Sequence, residues 1–108
     1  MEVLFHPEAE GELDRLPTNE KAAMDHAIEK LEALGARLPY PHCSAVRDAD
    51  RLRELRPRSG RSPWRALYRQ VKTVMVIGAI APEAKSNRRG FAKAVRRAES
   101  RLAELEKP

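Results

Sequence analysis

Eight basic residues (Arg51, Arg53, Arg56, Arg58, Arg61, Arg65, Arg69 and Lys72) crowd positions 51–72, where Glu54 is the single acidic residue. Strand-type apolar residues are interleaved with them, among them Leu52, Leu55, Leu67 and Tyr68. Such a pattern could hold a polyanion: a guanidinium is a planar fork that grips phosphate oxygens in pairs and stays protonated. If Leu55 and Ala66 face a helical layer, alternation sends Glu54, Arg56 and Arg58 to the other face of their strand. The same rule sends Arg65, Leu67 and Arg69 to that face of the next strand. Antiparallel pairing of Arg56 with Arg65 satisfies both placements. Their β-carbons would then stand about 5 Å apart, a repulsive like-charge pair unless an anion lies between them. Phosphate suits that gap.

Other elements must position these strands. Val3-Leu4-Phe5 is a short apolar run stopped by Pro7, and proline followed by Glu8, Glu10 and Glu12 marks a strand feeding a helix. Ala9, Leu13 and Leu16 stripe that helix, and Pro17 ends it. Thr18 or Asn19 caps a second helix, in which Met24, Ala27, Ile28, Leu31 and Leu34 keep the helical period until Gly35. Residues 36–50, with Pro39 and Pro41, have no sustained period and are expected to form a connecting loop, long for a compact domain. Arg51–Arg56 reads as a strand ended by Pro57, Trp64–Arg69 as the next, and Thr73–Ala81, apolar on both faces, as a central one. The turn near Val71-Lys72 lacks the usual Gly or Asn. A last helix starts near Ser86 or Asn87 and carries Phe91, Ala94, Val95, Ala98, Leu102 and Leu105 along one stripe.

The expected fold class is therefore α+β, in the order β-α-α-β-β-β-α: an N-terminal strand, a helical hairpin, an antiparallel three-strand meander completing a small sheet, and a C-terminal helix. At 108 residues the chain is expected to be one domain spanning 1–108. Its charge is divided. Residues 1–35 carry three basic and nine acidic side chains, net −6, and residues 36–108 carry eighteen and seven, net +11. A field of this kind speaks about partners, and nucleic acid is the commonest one for a basic surface. The single cysteine, Cys43, excludes an internal disulfide and suits a reducing compartment. His6, His26 and His42 are scattered, with no zinc spacing and none expected near the basic strands. No cofactor or metal is expected. The longest apolar run, Val74–Ala81, is too short to span a bilayer, and no leader pattern precedes Pro7. A soluble, cytoplasmic protein with no membrane contact is expected.

Leu52-Arg53-Glu54-Leu55-Arg56, then Trp64-Arg65-Ala66-Leu67-Tyr68-Arg69, then an apolar strand and a basic C-terminal helix form an ordered combination. In this combination the chain resembles the RelE/ParE toxin superfamily over essentially its whole length. It is most similar to the phage-derived HigB-type branch, whose chains share an ELR strand followed by an R-x-L-Y strand. The resemblance implies a small cytoplasmic toxin, paired in a hetero-oligomer with a cognate antitoxin from the same operon. RelE and HigB branches cut mRNA on the ribosome, and the ParE branch inhibits DNA gyrase. A type II toxin acting as a ribosome-dependent mRNA endoribonuclease is therefore the leading expectation, with a protein-targeting or degenerate member of the fold as the alternative. Carried over by position, catalytic roles fall on Arg65, on Arg56 and on Lys85 after the last strand. Arg53, Arg58, Arg61, Arg69, Arg88 and Arg89 are left to bind RNA or the ribosome. RelE has a tyrosine where this chain has Phe91, so a hydroxyl that RelE uses is missing.

In RNA cleavage the ribose 2′-hydroxyl attacks the neighbouring phosphorus, and charge gathers on the non-bridging oxygens. One preplaced donor there contributes on the order of 2.7–4 kcal/mol. The general base stays open between Glu54, Lys85 and water, and Glu54 is more simply an ion-pair partner of Arg53 or Arg56. Trp64 and Tyr68 share the parity of Ala66 and are expected in the core; Tyr40 and His42 fall in the long loop. Arg65→Ala is expected to abolish growth inhibition with the fold intact. An acidic antitoxin segment is expected to cover Arg56 or Arg65, or to displace the C-terminal helix.

Overall fold

The structure, a computed structural model, describes residues 1–107. Along the chain run β1 (Val3–Phe5), α1 (Pro7–Asp14), α2 (Thr18–Leu34), β2 (Cys43–Ala45), β3 (Arg53–Leu55), β4 (Trp64–Val71), β5 (Val74–Pro82) and α3 (Arg88–Glu106). The strands form one five-stranded sheet in the order β1-β5-β4-β3-β2, with β1 parallel to β5 and the other pairs antiparallel. Helix starts have local causes. His6 Nδ1 accepts the Glu8 N–H ahead of Pro7, and the Asn87 side chain accepts the Gly90 N–H at the head of α3. No helix among the described residues is long and apolar enough to cross a membrane.

The helical hairpin covers one face of the sheet. Met24, Ala27, Ile28 and Leu31 pack there with Leu55, Ala66, Tyr68, Met75 and Ile77, and Trp64 lies partly buried against them. The opposite face belongs to α3, whose Ala94, Ala98 and Leu102 pack on Leu67, Val76, Ala79 and Ala81. An open, arginine-lined sheet face is therefore not what the chain builds. The apolar stripe of α3 needs a partner, and two alanines let it sit close to the strands. Register makes room as well, because β5 bulges at Gly78: Leu67 pairs with Ala79, yet Tyr68 pairs with Ile77. A Cβ on Gly78 would lie 3.0 Å from Leu102 Cγ and 3.2 Å from Ala98 Cα. Arg101 then locks the helix down, donating to Glu12 at 2.9 and 3.2 Å and to the Gly78 carbonyl at 2.9 Å. Burial alone would raise the Glu12 pKa, but the Arg101 bond, the Ile80 N–H and the Arg97 charge outweigh it and hold the carboxyl below its usual range.

Three local expectations change. Residues 36–50 contain β2, an edge strand with Cys43 opposite Leu55, and three residues are too few for alternation to reveal. The strand expected over Arg51–Arg56 shrinks to Arg53–Leu55, because Asp48 and Arg51 both take left-handed backbone, φ +61° and +57°. Lys72 supplies the positive φ (+56°) of the turn joining β4 to β5, where Gly or Asn is usual.

Candidate functional site

β3 ends, β4 begins and β5 ends at the same end of the sheet. The register pairing Leu55 with Ala66 and Arg65 with Ala81 brings Arg56, Arg65 and Glu83 together there. Glu54 Oε1 accepts from Arg56 at 2.9 Å and from Arg65 Nε at 3.3 Å, while Glu83 accepts from Arg65 at 3.1 Å. The like-charge pair expected to recruit an anion is thus relieved by two carboxylates of its own chain. The Ser62, Trp64 and Gly60 carbonyls, at 2.6, 2.9 and 3.2 Å, take the other Arg65 donors. All five N–H groups of the guanidinium are engaged, and the residue is only 4% exposed. Burial, then the Arg56 charge, pulls the Arg65 pKa below the ordinary guanidinium value, and Glu54 and Glu83 pull back.

The loop over this cluster is held from two sides. Pro57–Gly60 forms a 3-10 turn in which Arg58, Ser59 and Gly60 take φ of +53°, +58° and +93°. Arg65 grips the Gly60 and Ser62 carbonyls from within. From outside, Glu20 of α2 accepts from Ser62 Oγ at 2.7 Å and from Arg58 at 3.0 Å, bonds that hold its carboxyl below the usual range, that of Ser62 foremost. The Arg56 guanidinium lies over Gly60, where an added Cβ would meet it at 2.5 Å. Its Nε donates to the Pro41 carbonyl at 3.1 Å, and its carbon stands 5.4 Å from the centre of the Tyr40 ring.

The basic residues singled out in the sequence separate into groups. Arg56 and Arg65 meet in the cluster, one half-buried and the other buried. Lys85 is exposed in the turn after β5, three residues before Arg88 and four before Arg89, which are exposed in the first turn of α3. Arg61 is exposed too, its Nε bonded to the Arg58 carbonyl. Arg58 turns to α2 instead of following Arg56, because Pro57 and the left-handed residues break the strand's alternation. Arg69 shares the face of Arg65 but lies under the end of α3, 7% exposed, bonded to Glu106 and to the Asp50 carbonyl. Arg69, then Arg51, lowers the Glu106 pKa. Arg53 has the parity of Leu55 and points to the hairpin side. There it donates to Cys43 Sγ at 3.4 Å and lines a cavity of about 610 Å³ with Leu38, Tyr68 and Met75. Burial pushes the Tyr68 phenol upward.

Sequence reasoning missed Glu83, which lies outside the basic run and reaches Arg65 only through the β4–β5 pairing. It also separated the histidines from the basic strands, whereas His26 and His42 line a cleft of about 410 Å³ with Lys30, Arg56 and Arg58. The backbone bond from Arg56 N to the His42 carbonyl, 2.9 Å, brings the loop there. Among the described residues, no cluster of His, Cys, Asp and Glu is placed to hold a metal ion.

The fold and the site now define a class. A mutant of the E. coli toxin RelE, solved in the free state, superposes with a TM-score of 0.61 at 16% identity, over 89% of this chain and 95% of that one. The architecture is thus RelE-like α+β, broadly in the expected order with β2 added. Residues 11–103 match the sequence profile of the family described as Phage derived protein Gp49-like (DUF891), and the chain belongs to that family of RelE-like toxins. No curated protein matches the chain in sequence.

Proposed function

We propose that the chain is the toxin of a type II toxin–antitoxin pair and stops translation by cutting mRNA on the ribosome. The observation that carries this reading is a carboxylate held between two guanidiniums, Glu54 with Arg56 and Arg65, while Glu83, which also takes Arg65, leads the chain into the exposed cations Lys85, Arg88 and Arg89. Both arginines use Glu54 Oε1, which leaves Oε2 to take the proton of a ribose 2′-hydroxyl as its oxygen bonds the phosphorus and the P–O5′ bond breaks, the departing 5′-oxygen taking its proton from water. Arg65, with its donors engaged, is a positioning residue: it aims Glu54 and fixes the Gly60–Ser62 carbonyls. Arg56 stands nearer the surface and supplies charge toward the phosphate that gains it in the transition state. Lys85, Arg88 and Arg89 contact flanking phosphates, and Arg61 reaches the same strand. Much of the rate then comes from the ribosome holding mRNA in line for attack, so free RNA is a poor substrate. Family membership implies an antitoxin partner. With Arg65 already buried, an acidic antitoxin segment meets Arg56, Lys85 and the head of α3. The cytoplasm, where ribosomes and mRNA are, is the proposed compartment.

A second reading, a protein target such as DNA gyrase, is favoured by two observations. Arg65 has no free donor, and Phe91, where RelE has tyrosine, is partly buried against the α3 cluster. Primer extension on total RNA after brief induction separates the two. Cleavage predicts new 5′ ends inside translated frames, lost on Glu54→Gln; arrested growth with no new ends, together with altered plasmid supercoiling, would instead support the second reading.

A further inference from the structure

The geometry points to Tyr40 as a stacking seat for an RNA base beside the Arg56 cluster, an inference that rests on the RNA reading above. Tyr40 is 71% exposed, the most exposed of the large hydrophobic residues described, and the hairpin and sheet make no use of its ring. Yet it is not loosely hung. His42 N donates to the Pro39 carbonyl, Arg56 N donates to the His42 carbonyl, and Arg56 Nε donates to the Pro41 carbonyl, at 2.9, 2.9 and 3.1 Å. These bonds frame the Tyr40 turn against the end of β3, so little freedom remains to be lost when a ligand arrives.

The two faces of the ring differ. Arg56 stands over one, 5.4 Å from its centre, in cation–π contact. The other is open to solvent. A base laid on it completes a stack of guanidinium, phenol and nucleobase, the guanidinium being the one that Glu54 already orients. Stacking of this kind tolerates any base, because each has a π-face. Tyr40 would thus hold the strand through a base while Lys85, Arg88 and Arg89 hold phosphates.

The test uses the full chain and a fluorescent single-stranded 2′-O-methyl RNA of about twelve nucleotides, within the usual site size and resistant to cleavage. A second probe carries abasic spacers at alternate positions. Anisotropy titrations run at several salt concentrations from about 50 to 200 mM, a range over which phosphate contacts declare themselves. Wild-type protein and Tyr40→Phe should prefer the base-bearing probe. Tyr40→Ala should lose that preference, weakening about 5- to 150-fold on that probe, with the slope of log affinity against log salt unchanged. A preference that survives in Tyr40→Ala, or a salt slope that falls with it, overturns the stacking seat and leaves the RNA reading standing. Wild-type protein that binds neither probe also overturns the stacking seat, while the ribosome-dependent reading stands or falls by primer extension. Because the side chain is exposed, circular dichroism of both variants should match wild type, so a lost preference is not a lost fold.

Discussion

Arg65→Ala should unfold this protein more readily before it says anything about catalysis. The substitution removes one partner from a buried network and strands the Glu54 and Glu83 carboxylates with the Gly60, Ser62 and Trp64 carbonyls. Removing one member of a buried ion pair costs about 3–5 kcal/mol. Arg56 still pairs with Glu54, which places the loss nearer the lower figure, about 3 kcal/mol. For a domain of this size about 4 °C of Tm accompanies each kcal/mol, so Tm should fall by roughly 12 °C. Arg65→Lys recovers little, since one ammonium cannot span five acceptors in two directions. Urea denaturation followed by circular dichroism measures the loss directly. Should Arg65→Ala keep its stability within about 0.5 kcal/mol, the scale of an ordinary surface change, while growth inhibition disappears, the positioning role is wrong and the sequence-based expectation of a directly acting Arg65 is right.

Gly78→Ala should destabilise by about 1–3 kcal/mol, as overpacking does, because the added methyl meets Ala98 backbone and not just the Leu102 side chain; an unchanged urea midpoint would mean that α3 does not sit as close as described. Acid should weaken the fold through Glu12, Glu20 and Glu106, whose pKa values are all lowered from the usual 4.5. The unfolded chain binds protons first, so their contribution is complete above about pH 5.5 and is lost as pH falls below about 4.5 through the folded values. Urea titrations from neutral pH downward should find a flat region and then a decline, and Glu12→Gln should make the decline shallower.

The period-2 pattern of Trp64–Arg69 and the apolar run of Thr73–Ala81 were enough to place two long central strands and, through Leu55 and Ala66, the register of the first of them with β3. Helix positions followed from prolines, from Gly35 and from the cap expected at Ser86 or Asn87, signals that act within a few residues, whereas the cap expected at Thr18 or Asn19 is not made: α2 starts from Pro17 with no side-chain bond. What the sequence hid depends on contacts far apart in the chain. β2 is held by Cys43 facing Leu55, and three residues carry no period. The fate of the second sheet face turned on α3, whose Ala94, Ala98 and Leu102 stripe was visible although its target was not. The bulge at Gly78 keeps that target flush, and a lone glycine within an apolar run does not announce a bulge. At the candidate site, Arg56 near Arg65 was legible from parity. The carboxylate between them was legible as an ion-pair partner of Arg53 or Arg56 and as one of three candidate bases, though not as a bridge, and Glu83 not at all.

Pairing inside the molecule also relocates the electrostatics. The basic two-thirds and acidic first third do not stay apart: Arg58 holds Glu20, and Arg97 and Arg101 hold Glu12. Arg51 and Arg69 are similarly taken by Glu106, and Arg56 and Arg65 by Glu54 and Glu83. Much of the charge that reads as a polyanion-facing sheet therefore fastens α2 to the loop and α3 to the sheet. The exposed remainder is spread out, with Arg37, Arg47 and Lys72 among it, but its largest run along the chain is Lys85, Arg88, Arg89, Lys93 and Arg96, in the turn after β5 and in α3. Those cations lie in water, where they steer an anion over about a Debye length and yield to salt. The Arg56–Glu54–Arg65 cluster is more buried than they are and acts at short range. On the proposed RNA reading, a nucleic acid would be drawn to the head of α3 first and would then meet Arg56, the guanidinium that Glu54 holds and that the Tyr40 ring faces.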